Sequence, residues 1–290
     1  MKRMFAFIMA MCLCIAGAAF AEDTEIFGGF ALLPGDTAEV DLNGDGAAET
    51  IGWQLIEDEE NYTEQVVLTI TAADGSAVEW SEYLYMASVI VSDVDSDGVY
   101  EIFITGDEMS ADYLTYCLHY TGSELLPLMF ADTARGAWNG GYYKCGYGYL
   151  EAIVDGAVTL SGSQDILGTY FGSRVFGLQH GIFEIVDDGM WRFDNYDFDD
   201  PDVWEYVALK PVADINAMFI TEDGDEQEGV IAAGERFIVT ASDKESVVYF
   251  RMQDGRCGYF WVMPDYEWGF GYYIDGVYED QIFEYIPYAD

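Results

Sequence analysis

The sequence predicts an all-β protein, and three observations predict it. Short runs of β-branched and aromatic residues recur along the chain, bounded by Asp-Gly and similar turn signals. Hydrophobic residues make up 51% and aromatics 16% of the chain, too much apolar surface for an acidic disordered segment. Two nine-residue acidic stretches of the same pattern begin at Asp41 and Asp93, each between strand-like runs. A period near fifty with several short strands per repeat is the spacing of propeller-like blades. The expected architecture is propeller-like repeat blades followed by a small β-barrel. The blades could form a partial propeller, a compact sandwich, or a ring closed by the C-terminal region.

Residues 1–21 read as a secretory leader. Lys2 and Arg3 precede an apolar run from Met4 to Ile15, and Ala19-Phe20-Ala21 is a small-residue cleavage site. The run is short for a bilayer span, and no later stretch is long and apolar enough to cross a membrane. The expected organisation is then a β-repeat domain over residues 22–204 and a barrel with a C-terminal extension over 205–290. Export places the protein outside the cell or at its envelope.

The first acidic stretch is Asp41-Leu42-Asn43-Gly44-Asp45-Gly46-Ala47-Ala48-Glu49. The second is Asp93-Val94-Asp95-Ser96-Asp97-Gly98-Val99-Tyr100-Glu101. Oxygen-bearing side chains fall at positions 1, 3, 5 and 9, with Gly at position 6. Calcium takes six to eight oxygen ligands, and a tight loop can aim alternate side chains at one point. Gly46 and Gly98 permit the left-handed turn that folds each loop back. The carbonyls of Ala47 and Val99, at position 7, are then available as backbone ligands. The candidate calcium ligands are therefore Asp41, Asn43, Asp45, Ala47 and Glu49, and Asp93, Asp95, Asp97, Val99 and Glu101. These are not EF-hands, because position 12 is Gly52 or Ile104 where an EF-hand has its bidentate Glu. The competing reading is an acidic β-turn without metal, since Asp, Asn and Gly favour turns on their own.

At these residues, "DLNGDGAAETIGW" and "DVDSDGVYEIFI", the chain resembles the FG-GAP and VCBS repeat families, over two repeats and about a third of its length. The resemblance implies calcium-stabilised blades in a secreted binding protein and implies no reaction.

Past the first loop, Gln65–Thr71, Asp74-Gly75 and Ala77–Trp80 read as a hairpin. The second repeat continues through Tyr113–Tyr120, turns at Thr121-Gly122-Ser123 and resumes at Leu125. A third unit without an acidic loop runs from Gly141 to Phe193 and includes a hairpin at Asp155-Gly156. The stretch Asp194–Asp202 is acidic and contains Pro201, so it reads as a solvated linker. From Tyr206 the pattern changes. Arg236–Thr240, Ser246–Arg251, the Asp254-Gly255 turn and Cys257–Val262 are similar to the small β-barrel of bacterial Src-homology-3-like domains. That resemblance implies cell-wall or peptide ligands and carries no ligand residue with it. The segment Tyr272–Tyr288 is expected to add a strand and a helical turn.

Charge and composition narrow the function. The formal net charge is −43, with 54 acidic against 11 basic residues, so phosphate backbones and anionic lipid are repelled and nucleic acid is excluded as a partner. Three cysteines follow the leader: Cys117, Cys145 and Cys257. One disulfide, Cys117 with Cys145, is open, but buried or free thiols are the preferred reading, and no Cys/His spacing suggests zinc. The two histidines, His119 and His180, have no recognisable nucleophile beside them; Ser161-Gly162-Ser163 is not a nucleophile elbow. No P-loop or dinucleotide fingerprint is present. Asn61-Tyr62-Thr63 has the form of a glycosylation sequon and carries no weight here. The tryptophans are expected mainly in packing, with sugar contact a minority role. The chain thus reads as a non-enzymatic, secreted calcium-binding β-repeat protein. Its expected role is recognition or adhesion toward a cell-wall glycan, another carbohydrate or a protein. The alternative is a secreted carbohydrate-active hydrolase working through a carboxylate pair.

Overall fold

The computed structural model describes residues 28–58, 63–108, 112–131, 142–186, 188–193, 196–267 and 271–288. The leader, the sequon at Asn61, Trp138, Trp268 and Phe270 lie outside the described residues. The fold is all-β, with two short helices among the described residues, and none of these is long and apolar enough to cross a membrane. Two compact units divide the chain. The first comprises residues 1–130, 144–158 and 177–183; the second comprises 131–143, 159–176 and 184–290.

In the first unit the strands are β1 (Gly29–Leu32), β2 (Thr37–Val40), β3 (Glu49–Asp58), β4 (Thr63–Thr71), β5 (Ala77–Tyr83), β6 (Tyr85–Ser92), β7 (Glu101–Asp107), β8 (Tyr113–Tyr120) and β9 (Leu125–Ala131). β2 to β5 form one antiparallel meander, with Val40 opposite Glu49 and Thr50 opposite Thr71. β6 to β9 form a second, with Ser92 opposite Glu101, and β1 is added along β6. In both meanders the acidic loop connects the first strand to the second, and the Glu at position 9 is the first residue of the second strand. The far edge of β8 is shared: Cys117–Tyr120 pair with β9, while Leu114–Tyr116 pair with Cys145–Tyr147. Ile182 and Phe183 run parallel to Met129 and Phe130 on β9.

Burial follows strand periodicity. Ile51, Trp53, Val66, Leu68, Ile70, Val89, Val91, Ile102, Ile104 and Leu118 form one core joining the two meanders, closed by the edge-on pair Trp80–Tyr116 at 5.1 Å. The alternate residues of β7 also bury, because Phe103 packs on Phe183, which in turn stacks on Phe130 at 4.6 Å. A strand covered on both faces has no polar side to show, which is why Glu101–Thr105 reads as a nearly continuous apolar run after its first residue.

The second unit centres on an antiparallel sheet. Its strands run Glu226–Ile231, Ile215–Ile220, Cys257–Trp261, Val247–Met252, Phe237–Ser242 and Trp191–Arg192 in spatial order. Its inner face is a phenylalanine cluster: Phe237 contacts Phe250, Phe260 and Phe283, and Phe219 meets Phe250 edge-on. The acidic stretch before it is more built than a solvated linker. Asp200 caps the short helix α1 (Pro201–Tyr206) through the Asp202 N–H, with Pro201 in the first turn. Trp204 on α1 is buried and donates to the Phe198 carbonyl. The tail forms Tyr272–Ile274, Val277–Tyr278 and the helix α2 (Glu279–Ile282), and the buried Glu279 carboxylate accepts the Tyr272 N–H and the Tyr288 hydroxyl.

Candidate metal centres

The two acidic loops have the same internal geometry. At position 1, Asp41 accepts the N–H groups of Asp45 (3.1 Å) and Gly46 (2.8 Å), and Asp93 accepts those of Asp97 and Gly98 (both 3.0 Å). At position 5, Asp45 and Asp97 each accept the N–H of position 7, Ala47 and Val99, at 2.8 Å. At position 9, Glu49 and Glu101 turn back to accept the N–H of position 2, Leu42 at 2.9 Å and Val94 at 3.0 Å. Gly46 and Gly98 share φ of 88°, the left-handed conformation expected of position 6. Position 4 is left-handed as well, at Gly44 (φ 72°) and at Ser96 (φ 60°), which the motif pattern did not indicate.

The sequence explains this folding locally. Leu42 and Val94 at position 2 are apolar and buried, so each loop is anchored inward there, and positions 3 to 6 turn outward. The position-9 glutamates are buried, 3% and 4% exposed, so each must find a donor, and the anchored N–H of position 2 supplies it. The loops also meet. The Tyr100 N–H of the second donates to the Leu42 carbonyl of the first at 3.1 Å.

Their electrostatics differ at position 3. Asn43 offers an amide to the Glu49 carboxylate in a long 3.5 Å contact. The second loop has Asp95 there, and burial together with the Asp97 and Asp93 charges raises its carboxyl above the ordinary range. Burial also pushes Glu101 up to about 7, opposed by the Val94 N–H and reinforced by the Asp95, Asp97 and Asp93 carboxylates. One oxygen from each of Asp93, Asp95 and Asp97 lies within 4.8 Å of the others. Oxygens around one calcium ion sit 2.3–2.6 Å from it and up to about 5 Å from one another, so three carboxylates gathered this closely are candidate ligands for a shared hard cation. The donors are oxygen only, which suits calcium and not zinc or copper.

Of the other residues singled out in the sequence, His119 pairs across the strands with the candidate ligand Glu101. Cys117, Cys145 and Cys257 are thiols. Cys145 lies opposite Tyr116, so the adjacent Cys117 faces the other side of the sheet. His180 (φ 53°) with Gly181 (φ 78°) makes a turn. Of the described tryptophans, Trp53, Trp191 and Trp204 are buried, Trp80 packs on Tyr116, and Trp261 is 58% exposed. Compared with known proteins, the chain matches no family model, and no curated protein or solved structure is significantly similar to it.

Proposed function

We propose that this is an exported, non-enzymatic calcium-binding β-repeat protein that acts in recognition or adhesion outside the cell or at its envelope. In this reading the meanders β2–β5 and β6–β9 are two FG-GAP/VCBS-type blades of an incomplete propeller. Residues 205–290 form a Src-homology-3-like barrel with a C-terminal extension, and the ligand is a carbohydrate or a protein. One observation carries it: two loops of different sequence adopt the same hydrogen-bonded geometry between equivalent strands. In both, the position-1 carboxylate accepts the N–H groups of positions 5 and 6 while position 2 is buried. Calcium is held by Asp41, Asn43, Asp45, Glu49 and the Ala47 carbonyl in one loop. Asp93, Asp95, Asp97, Glu101 and the Val99 carbonyl hold it in the other. The cation removes the repulsion among carboxylates that the folded loop forces together. A ligand binding only the folded state stabilises it, by about 2.7 kcal/mol at a hundred times its Kd. Thermal melts in chelator and in millimolar calcium test this. A midpoint that rises with calcium supports the reading; an unchanged midpoint removes it.

A further inference from the structure

The outer face of the second unit's sheet departs from the usual pattern. An antiparallel sheet with one buried face normally shows polar residues on the other. Here Glu228, Met218, Tyr259 and Tyr249 stand directly opposite one another across four strands, so they share that face. Trp261, two residues beyond Tyr259, lies on the same side. The Tyr249 and Tyr259 rings are 5.4 Å apart and those of Tyr259 and Trp261 5.1 Å apart. Trp261 is 58% exposed, and Val230, on the same face two strands away, is 43% exposed. The inner face is already filled by Phe219, Phe250 and Phe260, so the outward aromatics are not needed for the core. An exposed apolar patch rimmed by polar residues marks an interaction surface.

The rim indicates the partner. The Tyr259 hydroxyl is hydrogen-bonded to Glu226, and the hairpin carrying Glu226 also exposes Glu222, Asp223, Asp225 and Glu228. Of the basic residues on this face, Arg251 is engaged over the Phe198 ring at 4.7 Å, and Arg192, in the same row through Ala241 and Tyr249, is paired with Asp188 at 2.8 Å. Aromatic faces beside carboxylates attract ammonium and guanidinium groups, through the ring quadrupole and through charge. The net charge of −43 steers cations inward and anions away. We propose that the face formed by Tyr249, Tyr259 and Trp261 is a docking surface for a basic polypeptide segment bearing lysine or arginine side chains. This proposal does not depend on the loops binding calcium.

The test is anisotropy of a fluorescein-labelled decapeptide of alternating lysine and serine, titrated with the full chain in chelator and, separately, in calcium. Trp261→Leu keeps apolar surface and loses the π face; Tyr259→Ser removes both ring and hydroxyl. Each is expected to weaken binding about fivefold. Glu226→Gln should weaken it further than Glu39→Gln, which removes the same charge from the exposed strand β2. Because Trp261 is exposed, its variant should melt with the parent, and it carries the test if Tyr259→Ser does not fold. Parent-like binding by Trp261→Leu overturns the proposal. So do equal effects of Glu226→Gln and Glu39→Gln, which would reveal only a general acidic field. Displacement of the peptide by a neutral chito-oligosaccharide would assign the face to glycan and likewise overturn it.

Discussion

The position-9 glutamates give the sharpest prediction about the loops, because two substitutions at one site separate geometry from charge. Glu101 is 4% exposed and its carboxylate accepts the Val94 N–H at 3.0 Å. Glu101→Ala leaves that buried N–H without an acceptor, which costs about 1–3 kcal/mol. Glu101→Gln keeps a carbonyl oxygen in the same place and gives up the charge. In chelator no cation needs that charge, and burial among three aspartates already opposes it, so Gln should be at least as stable as Glu at pH 8. In calcium the order should change: Gln loses a charged ligand and the midpoint gain shrinks. Glu49→Ala and Glu49→Gln should behave the same way, since Glu49 accepts the Leu42 N–H at 2.9 Å. The assay is urea unfolding of each variant in both conditions. If Ala and Gln are equally destabilising in chelator, the backbone hydrogen bond is not what Glu101 supplies, and the shared geometry of the loops loses its explanation.

Three further outcomes follow from the same structure. The second loop offers four carboxylates and the first three, so Asp97→Ala should weaken the tighter calcium phase in calorimetry and Asp45→Ala the weaker one; the reverse result would sink the charge-count argument. Gly98→Ala should cost about 1–2 kcal/mol through backbone strain alone, because φ is 88° and an added Cβ meets nothing within 4 Å; a parent-like midpoint contradicts this. Burial raises the Asp243 carboxyl, but the Ser246 hydroxyl and the N–H groups of Ser246, Val247 and Glu245 outweigh it and hold the group below the usual range. Its stabilisation is therefore present above the unfolded pKa and lost as pH falls through the folded one. Asp243→Ala should cost about 1 kcal/mol at neutral pH, with the gap closing in acid; a gap that stays constant with pH refutes the assignment.

The loops were legible in the sequence because their information is local. Alternating acids, a Gly at position 6 and a Glu at position 9 fall within nine residues, and the side-chain hydrogen bonds inside each loop span at most seven. The hairpin turns at Asp74-Gly75, Asp155-Gly156 and Asp254-Gly255 were legible for the same reason, each with its Gly in the left-handed region. What sequence alone did not give is non-local. Nothing near Leu42 announces that its carbonyl accepts from Tyr100 in the other loop. Nothing near Cys145 shows that its strand shares an edge of β8 with β9. The acidic stretch before Pro201 looked solvated because five charged or polar residues outweigh two aromatics by composition. Phe198 nevertheless lies under Arg251, and the nearby Trp204 is buried, so a few large side chains decide its packing. The aromatic face of the second unit was hidden for a related reason: Tyr249, Tyr259 and Trp261 alternate with buried phenylalanines, and sequence does not say which side of a short strand the core occupies.

The central claim is that both acidic loops hold calcium. Isothermal titration of calcium into chelator-stripped protein lacking residues 1–21 tests it most directly, with Asp41→Asn/Asp45→Asn and Asp93→Asn/Asp97→Asn double variants alongside. The account predicts two ions per chain in the parent and one in each double variant, with magnesium a poor competitor. No heat of binding in the parent, or two ions retained in both double variants, would contradict it.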